Sequence, residues 1–186
     1  QNFINSDMEP NQVRSMCCRL QLDVRELLKR GGGLFGSAEQ TGSLGVVTIN
    51  CARLGYLYKD NLTGLYTRLD ELMDMARDSL EVKRQVIQQH MDNGLYPYTK
   101  RYLGTLRNHF STIGLIGMNE VGLNAKWLRK DLTHPETQAF AQDVLNHMRE
   151  RLSDYQEMYG DLYNLEATPA ESTTYRLAKH DVALYP

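Results

Sequence analysis

The sequence predicts an α/β fold built on a parallel sheet, and three observations predict it. Short runs of β-branched and apolar residues occur three times. Two long stretches with helical apolar spacing lie between them. The resulting order of strand, helix, strand, helix, strand is that of parallel strands joined by covering helices.

The elements follow in order along the chain. Residues 1–45 carry no long amphipathic pattern: "RLQLDVRELLKR" (19–30) fits a short helix or a strand, and "RGGGLFGSAEQTGSLG" (30–45) reads as loop, because its glycines let the backbone bend sharply. "VVTINCARLGY" (46–56) is too continuously apolar at its start for a surface strand, so a buried strand is expected over Gly45–Ala52. Residues 62–92 form the first long helix, with Leu65, Leu69, Leu72, Ala76, Leu80, Ile87 and Met91 at helical spacing and Gly94 as its stop. "FSTIGLIGM" (110–118) is the second buried strand. Pro135 to Tyr159 is the second long helix, with Phe140, Val144, Met148, Leu152 and Tyr155 on one face, and "DLYNLEAT" (161–168) is the third strand. Chemistry in such sheets gathers at the C-terminal strand ends, here Asn50 and Cys51, Asn119 and Glu120, and Glu166 to Thr168.

Composition narrows the function classes. A chain of 186 residues with 41% hydrophobic and 24% charged residues can bury a core as one domain, which excludes disordered and collagen-like classes. A net charge of −2 provides no general field toward nucleic acid or an anionic membrane. No long apolar run or signal-like segment is visible, so the expected location is the cytoplasm. The three cysteines do not suggest a disulfide framework, since the two adjacent ones could close only a strained ring. The start at "QNFINSDMEP" without a Met and the end at "HDVALYP" read as a piece of a longer protein.

Several stretches could carry chemistry. The vicinal Cys17 and Cys18 in "SMCCRLQLD" offer a nucleophile, a redox partner or a radical carrier, set against the plainer reading of two small buried residues. A zinc site is disfavoured, because adjacent cysteines rarely ligate one ion and no histidine is spaced as a partner; no metal ligands are assigned. In "EATPAEST" (166–173), Thr168, Pro169 and Glu171 match the N-cap, N1 and N3 positions of a capping box. The helix end would form an anion site to which Ser172 and Thr173 add hydroxyls, although Glu171 would repel an anion. The glycine-rich loop lacks both the P-loop ending and the dinucleotide setting. "TKRYLGTLRNHF" mixes Lys100, Arg101, Arg107 and His109 with aromatics, but the acidic whole favours a solvated helix or loop there. His90, His134 and His147 read as surface residues.

"NFINSDMEPNQVRSMCCRLQLD", "GSLGVVTINCARLGY", "GLYPYTKRYLGTLRNHFSTIGLIGMNE" and "LYNLEATPAESTTYRLAKHD" together span nearly the whole chain and resemble the large subunit of the anaerobic, class III ribonucleoside-triphosphate reductases, which are glycyl radical enzymes. The resemblance implies that the chain is a βαβαβ portion of a ten-stranded α/β barrel with a finger loop, residues 1–45 belonging to the finger region and 46–186 to the βαβαβ unit. It implies a thiyl radical at Cys18, with Cys17 as the alternative, that abstracts the 3′-hydrogen of a ribonucleoside triphosphate. Thr168, Ser172 and Thr173 would meet the phosphates, and Asn50, Asn119 and Glu120 the ribose.

The resemblance further implies a glycyl radical and a structural zinc, both outside this chain, and formate as reductant. ATP and dATP would be allosteric effectors, a radical S-adenosylmethionine activase a partner, and the parent a homodimer, with no membrane and no nucleic acid among the partners. Cys51 does not match the family's second redox cysteine. The isolated chain would be inactive for lack of the radical glycine. The competing readings are a non-catalytic nucleotide-binding or structural fragment, and a different glycyl radical enzyme.

Overall fold

The structure, a computed structural model, describes residues 42–185 and two short strands, β1 (Val13–Met16) and β2 (Leu20–Asp23). The latter pair antiparallel, from Val13 opposite Asp23 to Met16 opposite Leu20. "LQLD" (20–23) is thus strand rather than helix. Cys17 and Cys18 lie outside the described residues, as does most of the glycine-rich stretch.

The main sheet has three parallel strands in the order β3 (Gly42–Asn50), β4 (His109–Ile116) and β5 (Leu162–Ala167). After β3 come helices α1 (Cys51–Leu57), α2 (Leu62–Asp92) and α3 (Pro97–Leu103); α4 (Met118–Asn124) and α5 (Pro135–Tyr159) lie between β4 and β5; α6 (Glu171–Leu184) ends the chain. The strand, helix, strand, helix, strand order therefore holds, with the two long helices at the expected residues.

One sheet face is apolar and carries the helices. Ile49, Ile113, Leu115 and Tyr163 pack with Leu65, Leu69, Met73, Ala76 and Leu80 of α2 and with Val144, Met148, Leu152 and Tyr155 of α5. Met73, Ile113 and Met148 are fully enclosed, and burial of each such side chain stabilises the fold by roughly 1.5–3 kcal/mol. The alternate residues Thr48, Thr112, Gly114, Asn164 and Glu166 stand on the opposite face, which is small and polar. Because a register shift falls between Ser43 and Gly45, Leu44 joins the apolar side with Met91 and Leu106.

Three local expectations are corrected. The first strand starts at Gly42, inside the stretch read as loop, because these glycines and serines pair with His109 and Phe110. It also stops at Asn50 rather than Ala52: the Asn50 Oδ1 accepts from the Arg53 amide at 3.2 Å, which ends the strand and caps α1. The capping box at Thr168 does not form. The Thr168 amide instead donates to the Leu115 carbonyl at 3.1 Å, prolonging the pairing of β5 with β4, so α6 starts after Ala170, whose φ is +24°.

The remaining boundaries follow the expected local chemistry. Asn61 caps α2 by accepting from the Gly64 amide at 2.8 Å. Gly94, at φ +79°, takes the left-handed turn just past the helix end. Pro135 opens α5 and Gly160, at φ +73°, closes it.

Candidate functional site

The two ends of the sheet differ in chemistry. At the N-terminal end, Arg84 of α2 is buried and donates to the carbonyls of Leu106 (3.2 Å) and His109 (2.9 Å) and to Ser111 Oγ (2.9 Å). Its Nε lies 3.4 Å from the Asp161 carboxylate without making a hydrogen bond. Beside it the Tyr163 hydroxyl donates to the buried Glu81 carboxylate. Burial, helped by that carboxylate, pushes the Tyr163 hydroxyl far above the ordinary phenol range. His109, expected in a solvated segment, is the buried first residue of β4, and burial followed by the Arg84 charge lowers its pKa. The charges of this cluster are occupied in holding α2 to the strand starts.

At the C-terminal end the short helices α1 and α4 follow β3 and β4 directly. They approach closely enough that a Cβ on Gly55 would lie 2.7 Å from the Val121 Cα. Thr48, Gly114 and Glu166 form one cross-strand row on the polar face. The Thr168 side chain folds over Gly114, where a Cβ would collide with the Thr168 hydroxyl, and that hydroxyl accepts from Thr48 Oγ1 at 3.2 Å. A hydroxyl that already accepts keeps its own proton for another partner. Glu166 is buried and has no hydrogen-bond partner among the described residues; burial raises its pKa.

Ser172, exposed, and Thr173, half-buried, stand in the first turn of α6, and neither hydroxyl is engaged among the described residues. Farther along that helix, Asp181 accepts from Asn50 Nδ2 at 2.8 Å and from Arg53 Nε at 2.7 Å, and Arg53 Nη2 completes the ion pair 2.6 Å away. The structure thus brings Asn50 and Thr168 to one strand end through α6. Asn119 and Glu120 are held elsewhere. The Asn119 Oδ1 accepts from the Leu132 amide at 3.1 Å, and Glu120 is exposed on α4 with its carbonyl accepting from Asn124.

Thr48, Arg53, Gly114 and Asp181 were not singled out by the sequence. Only Gly114 left a signal, as a glycine inside a strand pattern, which marks a close approach of another group.

Cys51 packs among Leu54, Leu65, Leu69, Met118, Val121 and Val144, and burial pushes its thiol up to about 12, which keeps it protonated. Among the described residues no group of three or more His, Cys, Asp or Glu side chains converges as metal ligands, so they do not fit a zinc ion. No helix of the described residues is long and apolar enough to cross a membrane.

A parallel sheet with one helix-covered face and with hydroxyls and a helix start gathered at its C-terminal end defines an α/β protein, a class of sheet whose ligands generally bind beyond the strand C-termini. The whole chain, residues 1–186, matches the family model described as anaerobic ribonucleoside-triphosphate reductase, and the chain belongs to that family. It is similar to the crystal structure of the anaerobic ribonucleotide reductase from Thermotoga maritima with glycerol in the active site, at 25% identity and a TM-score of 0.72 over 78% of this chain and 24% of that one. The same enzyme in complex with dATP and CTP matches with the same identity, TM-score and coverage of this chain, over 25% of its own length. With dATP in its specificity site it matches at 20% identity and a TM-score of 0.69, over 89% of this chain and 34% of that one. The chain therefore spans about a quarter to a third of the length of these structures. No curated protein matches it significantly.

Proposed function

We propose that this chain is a portion of the catalytic barrel of an anaerobic reductase that converts ribonucleoside triphosphates to deoxyribonucleoside triphosphates. The activity belongs to the full-length protein. The observation that carries the reading is the juxtaposition of the Thr48–Thr168 hydroxyl pair with the first turn of α6 at the C-terminal strand ends, in a chain whose family model covers all of it.

The geometry supports a division of labour. Thr168 accepts from Thr48 and offers its own proton to a phosphate oxygen, and Ser172 and Thr173 add two hydroxyls at a helix terminus where free N–H groups favour an anion. Burial favours the neutral form of Glu166, which lessens its repulsion of that anion. Asn50, with one amide hydrogen on Asp181, keeps the second for the ribose. Asn119 and Glu120 are assigned to the sugar by the resemblance alone, since the Asn119 Oδ1 is taken by the Leu132 amide and Glu120 is exposed on α4.

Cys18, with Cys17 as the alternative, carries the thiyl radical. It takes the ribose 3′-hydrogen atom, forming an S–H bond and leaving the unpaired electron on C3′. Cys18 would become the thiyl by giving up the hydrogen atom of its S–H bond to the glycyl radical, which lies outside this chain and would end as closed-shell glycine. Formate as reductant, a structural zinc, ATP and dATP as effectors, a radical S-adenosylmethionine activase, a homodimeric parent and a cytoplasmic location complete the proposal, and residues 1–45 form the finger region of a ten-stranded barrel.

The test is deoxynucleotide formation by the full-length protein, reconstituted anaerobically with activase and formate. Cys18→Ser is expected to abolish product, and Cys17→Ser to retain it. The reverse pattern moves the radical one residue upstream, and activity in both variants would exclude the vicinal pair.

A further inference from the structure

Helix α6 is largely exposed: Tyr175, Val182 and Leu184 are 72, 72 and 61% accessible. Among the described residues few contacts fix its place. Near its start Thr168 is tied to Thr48, and near its end Tyr185 lies 5.2 Å from Tyr56, ring centre to ring centre. Between them Asp181 makes a two-oxygen fork, its Oδ2 accepting from Asn50 and its Oδ1 from the Arg53 guanidinium. Since the Arg53 amide donates back to Asn50 Oδ1, the three residues close a ring.

That ring fixes the sense of the Asn50 amide. An asparagine can turn over and exchange its donor and acceptor ends. Here the carbonyl end is held by a backbone N–H and the NH₂ end by a carboxylate, so only one orientation satisfies both partners.

We propose that Asp181 is a positioning residue, which orients the Asn50 amide so that a donor N–H faces the strand-end site and which locks α6 to β3 in that arrangement. The inference rests on the proposed function, since it takes Asn50 as a ribose contact.

The test uses the activated full-length protein. Asp181→Ala is expected to lower kcat/KM for a ribonucleoside triphosphate by about ten- to hundredfold, the scale of a sub-ångström to ångström misplacement of a contact. The glycyl radical signal should persist, showing that the protein folds and is activated. Tyr185→Ala, which removes the Tyr56 contact of α6 and leaves the Asp181–Asn50 bond in place, should stay within about threefold, and Asp181→Glu should recover part of the loss.

An unchanged kcat/KM in Asp181→Ala, or an equal loss in Tyr185→Ala, would overturn the proposal, the latter by making the docking of α6 alone the cause. A wild-type protein that bears the radical and reduces no ribonucleoside triphosphate would sink the proposed function instead. Hydrogen exchange reads the ring without turnover: faster exchange at the start of α1 in Asp181→Ala supports it, and unchanged exchange there overturns it.

Discussion

At the N-terminal end of the sheet, Arg84, Glu81, Tyr163 and the carbonyls of Leu106 and His109 are buried against one another and use up most of their hydrogen-bonding capacity. At the C-terminal end, among the described residues, Thr168, Ser172 and Thr173 keep donors free, Glu166 is buried without a partner, and α6 rests on a few contacts. The difference teaches where each end places its free energy. Most of the polar groups at one end are paired with each other, Arg84 Nε and His109 Nδ1 excepted, whereas the other leaves several hydroxyls for something other than the protein itself.

The comparison breaks most visibly if Arg84 is removed. Arg84→Leu leaves Asp161 without its cation and strips donors from two carbonyls and a serine, and should destabilise the full-length protein by about 3–5 kcal/mol. Thermal unfolding of the variant checks this. The molecules that remain folded should reduce substrate with unchanged KM, and a raised KM would mean that the foundation is part of the site.

Next in size is a pair of glycines. Gly114→Ala drives a Cβ into the Thr168 hydroxyl and should lower kcat/KM about tenfold or more, because Thr168 must move. Gly55→Ala meets the Val121 backbone between α1 and α4 and should cost stability with kcat/KM kept. Equal effects of the two substitutions on kcat/KM would remove the distinction between packing and site at this end.

The smallest effect is expected from Glu166→Gln. Burial raises the folded-state pKa of Glu166 above its unfolded value, so the folded protein holds the proton more tightly and the side chain opposes folding increasingly as pH rises through the carboxylate range. The glutamine variant should thus be the more stable one at neutral pH, and the gap should close as pH falls below the ordinary carboxylate pKa. Unfolding measured across that range decides it, and a gap that widens toward acid would contradict the burial of an unpaired carboxylate.

The long-range layout was legible because it rests on periodicity. The leucines of α2 and the apolar runs of β4 and β5 declare their buried faces by spacing alone, and Pro135 and Gly160 mark helix ends by backbone chemistry. Polar residues at apolar positions were harder to place. Arg84 stands in the helical stripe four residues after Leu80 and seven before Met91, yet its charge reads as solvent-facing until the carbonyls it satisfies are known.

Thr168 illustrates the same difficulty from the local side. Its capping-box pattern was sound as sequence, but Leu115 and Thr48, 53 and 120 residues earlier, compete successfully for its amide and hydroxyl. Asp181 offered no local signal, because its partners Asn50 and Arg53 are brought to it only by the fold.

The most direct test of the account is a crystal structure of the full-length protein with a ribonucleoside triphosphate bound in the barrel. The triphosphate is predicted at Thr168, Ser172 and Thr173 where α6 begins, with the ribose toward Asn50. Substrate phosphates seated away from this strand end, or on the Arg84 and His109 side of the sheet, would contradict it.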